Sequence, residues 1–314
     1  MHLIRDRNRS QIILRPLLAW ICLALLSLIV AAQASATECP PLERQDQQTR
    51  RSIYSRGLLW RVESSDGLIS HLFGTIHLSD PRITRLSAES LSRLLESESF
   101  VMEVVLNRET FSSMASAMIF SSHDTLETIS GAATYKRAIR LLERYGLSAS
   151  RANRLKPWAV YTILSLPPGQ SGLPLDLRLM TLAQENQLPV YGLETIEEQT
   201  TLFDSMDIAD QLVLLQQAVC NYDLAQSDIE EIIGHYLKHD LNAMLRMTET
   251  YRYPGSERFI DALLWRRNKI MAERMQAHLR RGAAFVAVGA LHLPGKGGIL
   301  DLLTRDGYSV MAID

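Results

Sequence analysis

The sequence predicts an α+β fold: a mixed β-sheet core surrounded by helices, in a single domain that carries a helical insert. Three observations lead there. Short apolar runs bounded by turn residues stand towards both ends of the chain, the middle carries apolar residues at helical spacing, and no Ser, Gly or Pro run long enough to act as a linker divides them. The composition agrees. Hydrophobic residues make up 46% and charged residues 22%, which excludes a disordered or collagen-like chain. Lys and Arg number 33 against 35 Asp and Glu, so the basic excess of a nucleic-acid binder is missing and no nucleic-acid partner is expected.

Residues 1–36 read as a secretory signal. Arg5, Arg7, Arg9 and Arg15 form a positive start, Pro16 to Ala32 is apolar except for Ser27, and Ala34-Ser35-Ala36 supplies the small–x–small cleavage pattern. Its removal takes four Arg and one Asp, leaving 29 basic against 34 acidic residues. The expectation is an exported protein in a bacterial periplasm, with no stable membrane insertion after cleavage; left uncleaved, the same segment would anchor the chain. Cys22 leaves with the signal. Cys39 and Cys220 remain, either as two unrelated thiols or as a disulfide, which an oxidising compartment favours.

Residues 37–56 are polar and read as a flexible segment, so the folded domain covers 57–314. Leu58 to Val62 and Leu68 to Phe73 read as a hairpin around the Asp66-Gly67 turn. Pro81 to Ser97 has the spacing of an amphipathic helix, and Phe100 to Leu106 reads as a buried strand interrupted by Glu103. Residues 110–166 read as mainly helical, with breaks near Ser130-Gly131 and Gly146; this is the insert. Next come a helix over Leu175 to Asn186, a strand over Leu188 to Leu193 and two or three helices between Ile196 and Met247. A long helix over Ser256 to Arg281, a strand over Ala283 to Val288, a short helix over Gly297 to Thr304 and a closing strand over Tyr308 to Ile313 complete the chain.

One short pattern occurs twice, each time directly after an apolar strand: Gly74-Thr75-Ile76-His77 and Gly289-Ala290-Leu291-His292. Glycine lets the chain bend where the strand stops, and the imidazole then stands at the strand's carboxyl end, where α/β ligand sites gather. If the two strands are neighbours, both imidazoles converge on one point, and neutral imidazole is the commonest protein ligand for transition metals. Glu103, within Phe-Val-Met-Glu-Val-Val, is too costly to bury unpaired. It faces either solvent, as on an edge strand, or a cation beside the histidines. His235 and His239 are also four apart, but the glutamate of a His-Glu-x-x-His signature is missing between them, which leaves a solvated helix face as the better reading.

The chain resembles the TraB/GumN family, relatives of the Tiki metalloproteases within the erythromycin-esterase/ChaN-like group. The resemblance runs over residues 57–314. It is carried by Trp60-Arg61-Val62, Leu72 to His77, Met102-Glu103, Lys156-Pro157-Trp158, Gly192 to Thr195 with Glu197-Glu198-Gln199, Arg267-Asn268, Val288 to Gly295 and Gly307-Tyr308.

The resemblance implies divalent-metal-dependent cleavage of a peptide or protein substrate. His77, His292 and Glu103 would be metal ligands, with Mn, Co or Zn as the ion. Glu103, Arg267 and Asn268 would be the catalytic group, and Glu194, Gly74 and Gly289 would stand beside it. Two imidazoles and a carboxylate can hold an ion with positions left open for water. Lys156-Pro157-Trp158 reads as structural, through backbone restriction and ring packing. Two other readings stay open at this point: a ChaN-like protein that binds haem or iron without turnover, and an interaction protein with a vestigial pocket.

Overall fold

The computed structural model describes residues 39, 43–44, 53–249 and 251–314. The signal reading of 1–36, and most of the 37–56 segment, lie outside the described residues. Six strands build the main sheet: β1 (Leu59–Glu63), β2 (Ile69–Thr75), β3 (Ser99–Met102), β4 (Val190–Gly192), β5 (Ala284–Gly289) and β6 (Ser309–Ala312). Their order across the sheet is β4-β3-β5-β2-β1-β6. β4, β3, β5 and β2 run parallel, and β1 is antiparallel to both β2 and β6, so the sheet is mixed as the sequence predicts. A separate two-residue ladder joins Glu43–Arg44 to Tyr251–Arg252.

The pattern of each strand explains its place. β5 reads Ala-Phe-Val-Ala-Val-Gly and is buried along nearly its whole length, as a parallel strand covered on both faces should be. Phe285 from β5 packs between Phe73 and Phe100 of the flanking strands, with ring centroids 5.9 and 6.2 Å away. β1 and β2 form the hairpin read from Asp66-Gly67. Gly67 sits at φ +80°, a left-handed position that glycine takes without cost, and Ser64 N–H closes the turn on Leu68 C=O at 2.9 Å.

Two strands are shorter than the sequence predicts, and the reason bears on function. The run Phe100 to Leu106 stops as a strand at Met102, and Leu188 to Leu193 keeps only Val190–Gly192. Beyond those ends the two chains still touch through Leu193 N–H to Met102 C=O and Glu194 N–H to Glu103 C=O, both 2.8 Å. Glu103 and Glu194 therefore stand just past the carboxyl ends of neighbouring parallel strands, rather than within them.

The insert packs with helices from beyond its own bounds. Leu126, Leu142, Trp158, Leu164, Leu215 and Tyr222 belong to a second apolar cluster, separate from the one on the sheet. Gly131 breaks the first long helix at φ +77° and Gly146 ends the next turn in the left-handed region, both where the sequence reads a break. Pro157 opens the helix Pro157–Leu164, where its missing N–H costs nothing. Trp158 stacks on Phe203 with centroids 5.1 Å apart, and Asp204 accepts from Trp158 Nε1 at 2.7 Å and from Lys156 Nζ at 2.8 Å. Lys156-Pro157-Trp158 is thus the structural feature expected.

Between Ile196 and Glu249 there are four helices, not two or three, because Met206-Asp207, Asn221 and Leu237 to Asp240 each interrupt the pattern. The helix bearing His235 ends at Tyr236, and His239 lies beyond it at φ +55°. The two are off a common face, His235 against Glu231 and His239 against Asp314, both at 3.4 Å. Among the described residues, no helix is long and apolar enough to cross a membrane.

Candidate functional site

The sheet brings both Gly-x-x-His segments to one edge. β2 and β5 are parallel neighbours in the register Gly74↔Val288 and Thr75↔Gly289, so the condition set by the sequence is met. His77 and His292 line the same cavity of about 300 Å³, together with Arg267. The glycines are there for a different reason from the one expected. Neither has a positive φ. A Cβ on Gly74 would lie 2.8 Å from Leu293 Cδ1 and 3.2 Å from Ala290 Cα, and one on Gly289 would lie 3.2 Å from Glu103 Oε1. Gly74 lets the second segment close onto the first, and Gly289 lets the carboxylate in; both make room for an approach rather than a bend.

After its glycine each segment goes its own way. Ala290–His292 coils into a 3₁₀ turn that folds the imidazole inward, where only 6% of the side chain is exposed. Asn268 Nδ2 donates to Gly297 C=O at 3.0 Å, which turns its Oδ1 to His292 Nδ1 at 2.6 Å. Nδ1 is therefore the protonated nitrogen, and Nε2 carries the lone pair, 3.3 Å from Arg267 Nη1. Burial pushes this imidazole down to about 4, so it is neutral at pH 7.

His77 instead keeps 65% of its side chain exposed, and its Nδ1 lies 2.8 Å from Asp176 Oδ2. Asp176 stands in the first turn of the helix Leu175–Glu185, and its other oxygen accepts from Thr75 Oγ1. Its charge raises the imidazole to about 9, working against burial in the cavity; water at the exposed ring screens part of that attraction. Asp176 itself is pushed up by burial but held below its usual range by His77 and by the two hydrogen bonds.

Glu103, Glu194 and Arg267 form a buried charge cluster. Arg267 Nη2 donates to Glu103 Oε2 at 2.5 Å and to Glu194 Oε2 at 2.6 Å, and Nε donates to Glu194 Oε1 at 3.0 Å. Gly289 N–H donates to Glu103 Oε1 at 2.7 Å, and Gln199 Nε2 donates to Glu194 Oε2 at 3.1 Å. Burial works against ionised Glu103, but the fields of His292, Arg267 and His77 and the Gly289 N–H outweigh it and hold the carboxyl well below its usual range. Because His292 is neutral, Arg267 is the cation that does most of this.

The backbone beneath Arg267 is unusual. The helix expected over Ser256 to Arg281 is three pieces: Ser256–Ile260, a π-helical turn over Asp261–Arg266, and Arg267–Leu279. π-turns of this kind recur at functional sites. Here the turn ends immediately before Arg267-Asn268, and Arg267 Nη1 donates to Leu263 C=O within it at 3.2 Å.

The chemistry of the donor set suits a divalent cation in one respect. Both imidazoles have Nδ1 against an oxygen acceptor, which is how metal-bound histidines are commonly held, but His292 Nε2 faces Arg267 Nη1 at 3.3 Å. The full set expected does not stand as a cage, however. Among the described residues, no three His, Cys, Asp or Glu side chains are grouped to hold an ion. The physical reason is Arg267, which has engaged Glu103; its Oε1 is 3.7 Å from His292 Nε2. Asn268 is fully buried and touches His292, so it is a positioning residue rather than a catalytic one.

The whole arrangement can be set beside known proteins. Residues 58–312 match the TraB/PrgY/gumN family. The chain belongs to that family. It is 26% identical to Metalloprotease TIKI2 of Danio rerio over 298 residues, covering 77% of this chain and 58% of that protein. Metalloprotease TIKI1 of Homo sapiens is 23% identical over 352 residues, covering 93% and 68%. Protein YbaP of Escherichia coli (strain K12) is 23% identical over 242 residues, covering 74% and 87%. The chain thus spans less than three fifths of the length of the TIKI2 proteins it matches. No solved structure matches it significantly.

Asp176 and Gln199 are the members of the site that the sequence reading misses. An acid in a helix's first turn is accounted for by the helix dipole alone, and Asp176 lies 99 positions from His77. Gln199 lies inside a quoted motif but has no chemical mark of its own. The two cysteines expected to pair, Cys39 and Cys220, are both disulfide-bonded.

Proposed function

We propose that this protein is an exported, metal-dependent hydrolase of peptide bonds, with His77 and His292 supplying Nε2 to one divalent ion. The carrying observation is that two imidazoles from the ends of neighbouring parallel strands line one cavity, each held through Nδ1 by an oxygen. The metalloprotease name borne by the TIKI relatives supports the reaction class, and the four-Arg leader with disulfide-bonded Cys39 and Cys220 supports an oxidising compartment such as the periplasm. A bound divalent ion polarises a carbonyl and lowers the pKa of water.

The chain's own residues do the rest. Glu103 faces His292 and, ionised, would accept the proton of an attacking water, or would be the ion's third ligand if Arg267 released it. Arg267 holds Glu103 in place, and Glu194 with Gln199 fixes Arg267 from the other side. Asn268 sets the His292 tautomer, and Asp176 orients His77.

The test is cleavage of unstructured peptides by the purified chain with Mn, Co or Zn added. Activity that appears with metal, disappears with chelator and falls at least ~100-fold in His77→Ala and in His292→Ala supports the reading. Activity unchanged in both variants overturns it, and a strong visible absorption band on the purified protein would turn the reading to haem binding.

A further inference from the structure

The walls of the cavity beside the two imidazoles are almost wholly apolar. Ile76, Leu166, Ile229, Ile232, Leu263 and Leu291 face it, and its charged members are His77 and Arg267. Arg267 is already engaged by Glu103 and Glu194. A polar side chain entering here would give up its water for walls that offer little hydrogen bonding in return. At about 300 Å³ the cavity lies at the low end of ligand sites (~300–1,000 Å³), with room for one large side chain and its adjoining backbone.

A neighbouring cavity adjoins it. This second cavity of about 270 Å³ shares Ser165, Ile229 and Ile232 with it and has Gln217, Asn221 and Asp228 among its lining. Two lobes that share one wall suit an extended chain that leaves one side chain in each.

We propose that the substrate is an extended peptide with a large aliphatic or aromatic side chain next to the scissile bond, seated on Ile229, Ile232 and Leu263. This rests on the hydrolase reading for the bond broken: water adds its oxygen to the carbonyl carbon, the C–N bond opens and the amine leaves with a proton. Recognition of the side chain rests on the apolar wall alone, so the two can fail separately.

The experiment uses the full chain, loaded with Mn, and four capped pentapeptides: acetyl-Gly-Gly-Leu-Gly-Gly-amide and its counterparts with Phe, Asp or Gly at the centre. Binding is measured by calorimetry and hydrolysis by chromatography. Leu and Phe peptides bind at least about tenfold more tightly than the Gly peptide, and the Asp peptide binds most weakly. Ile232→Lys brings the Leu-to-Gly ratio close to one, and Ile232→Ala, the milder change, lowers it part-way while circular dichroism stays native. Apolar preference in binding with no hydrolysis under any metal upholds this inference and defeats the hydrolase reading. Hydrolysis at equal kcat/KM for all four peptides, or binding without preference, overturns the inference; the first of these leaves the hydrolase reading standing.

Discussion

The two Gly-x-x-His segments begin alike and end in opposite surroundings. Both leave parallel neighbouring strands and both reach one cavity. His292 is folded inward onto a neutral amide, Asn268, and is held neutral by burial; His77 stays open to water and meets a carboxylate, Asp176, that favours its charge. The difference teaches that the motif fixes where an imidazole stands, while its surroundings, burial for His292 and the Asp176 carboxylate for His77, decide what proton it carries. His292 Nε2 carries its lone pair at neutral pH but faces Arg267 Nη1 at 3.3 Å, and His77 must first lose a proton.

The largest way to disturb this comparison is through the group beneath the buried half. Arg267→Ala leaves Glu103 and Glu194 buried without their cation. Loss of one partner from such a cluster costs about 3–5 kcal/mol, read as a lower urea midpoint, and the His292 imidazole should respond while His77 changes little.

Gly74→Ala comes next. Its Cβ would push on Leu293 and on the Ala290 backbone, at a cost of about 1–3 kcal/mol from overpacking. Because the added methyl drives the two segments apart, metal affinity should fall more than stability does, as compared by calorimetry and thermal unfolding.

The partners themselves can be exchanged. In the metal-free protein, Asp176→Asn lowers the His77 pKa from about 9 towards the unperturbed ~6.5, and Asn268→Asp raises that of His292 from about 4. Proton NMR titration of the two imidazoles checks both; unequal partners that leave the pKa values in place would break the comparison.

The smallest effect is on stability against pH, where the two histidines act with opposite sign. His292 has a folded pKa below its unfolded value, so its contribution is present above ~6.5 and is lost as pH falls towards about 4. Glu103 and Asp176, also depressed, extend that loss at lower pH. His77 has a raised folded pKa, so its contribution is complete below ~6.5 and is lost as pH rises through about 9. Its exposed ring makes the alkaline limb the shallower. Urea unfolding across pH 4–9 should show both limbs, and His77→Asn should flatten the alkaline one alone.

Much of this is legible in the sequence. All six strands of the main sheet, the hairpin turn at Gly67 and the breaks at Gly131 and Gly146 follow from apolar runs, turn residues and spacing, and the two strands that carry the paired motifs are neighbours. What escaped depends on contacts between distant segments. The strand around Glu103 stops at Met102 because the carboxylate is drawn to Arg267 and Gly289, neither of which is near it in the chain. The π-turn before Arg267 hides inside a good helical pattern. Asp176 looks like any helix-opening acid until Thr75 and His77 are placed above it.

The central claim is that His77 and His292 serve one cation, and ion stoichiometry tests it most directly. Mn, Co and Zn are titrated by calorimetry into the unaltered chain, His77→Ala, His292→Ala and the double variant. The account predicts one ion per chain in the unaltered protein, weakened at least ~10–100-fold by either single change and gone in the double variant. Stoichiometric metal retained with both imidazoles removed would contradict it.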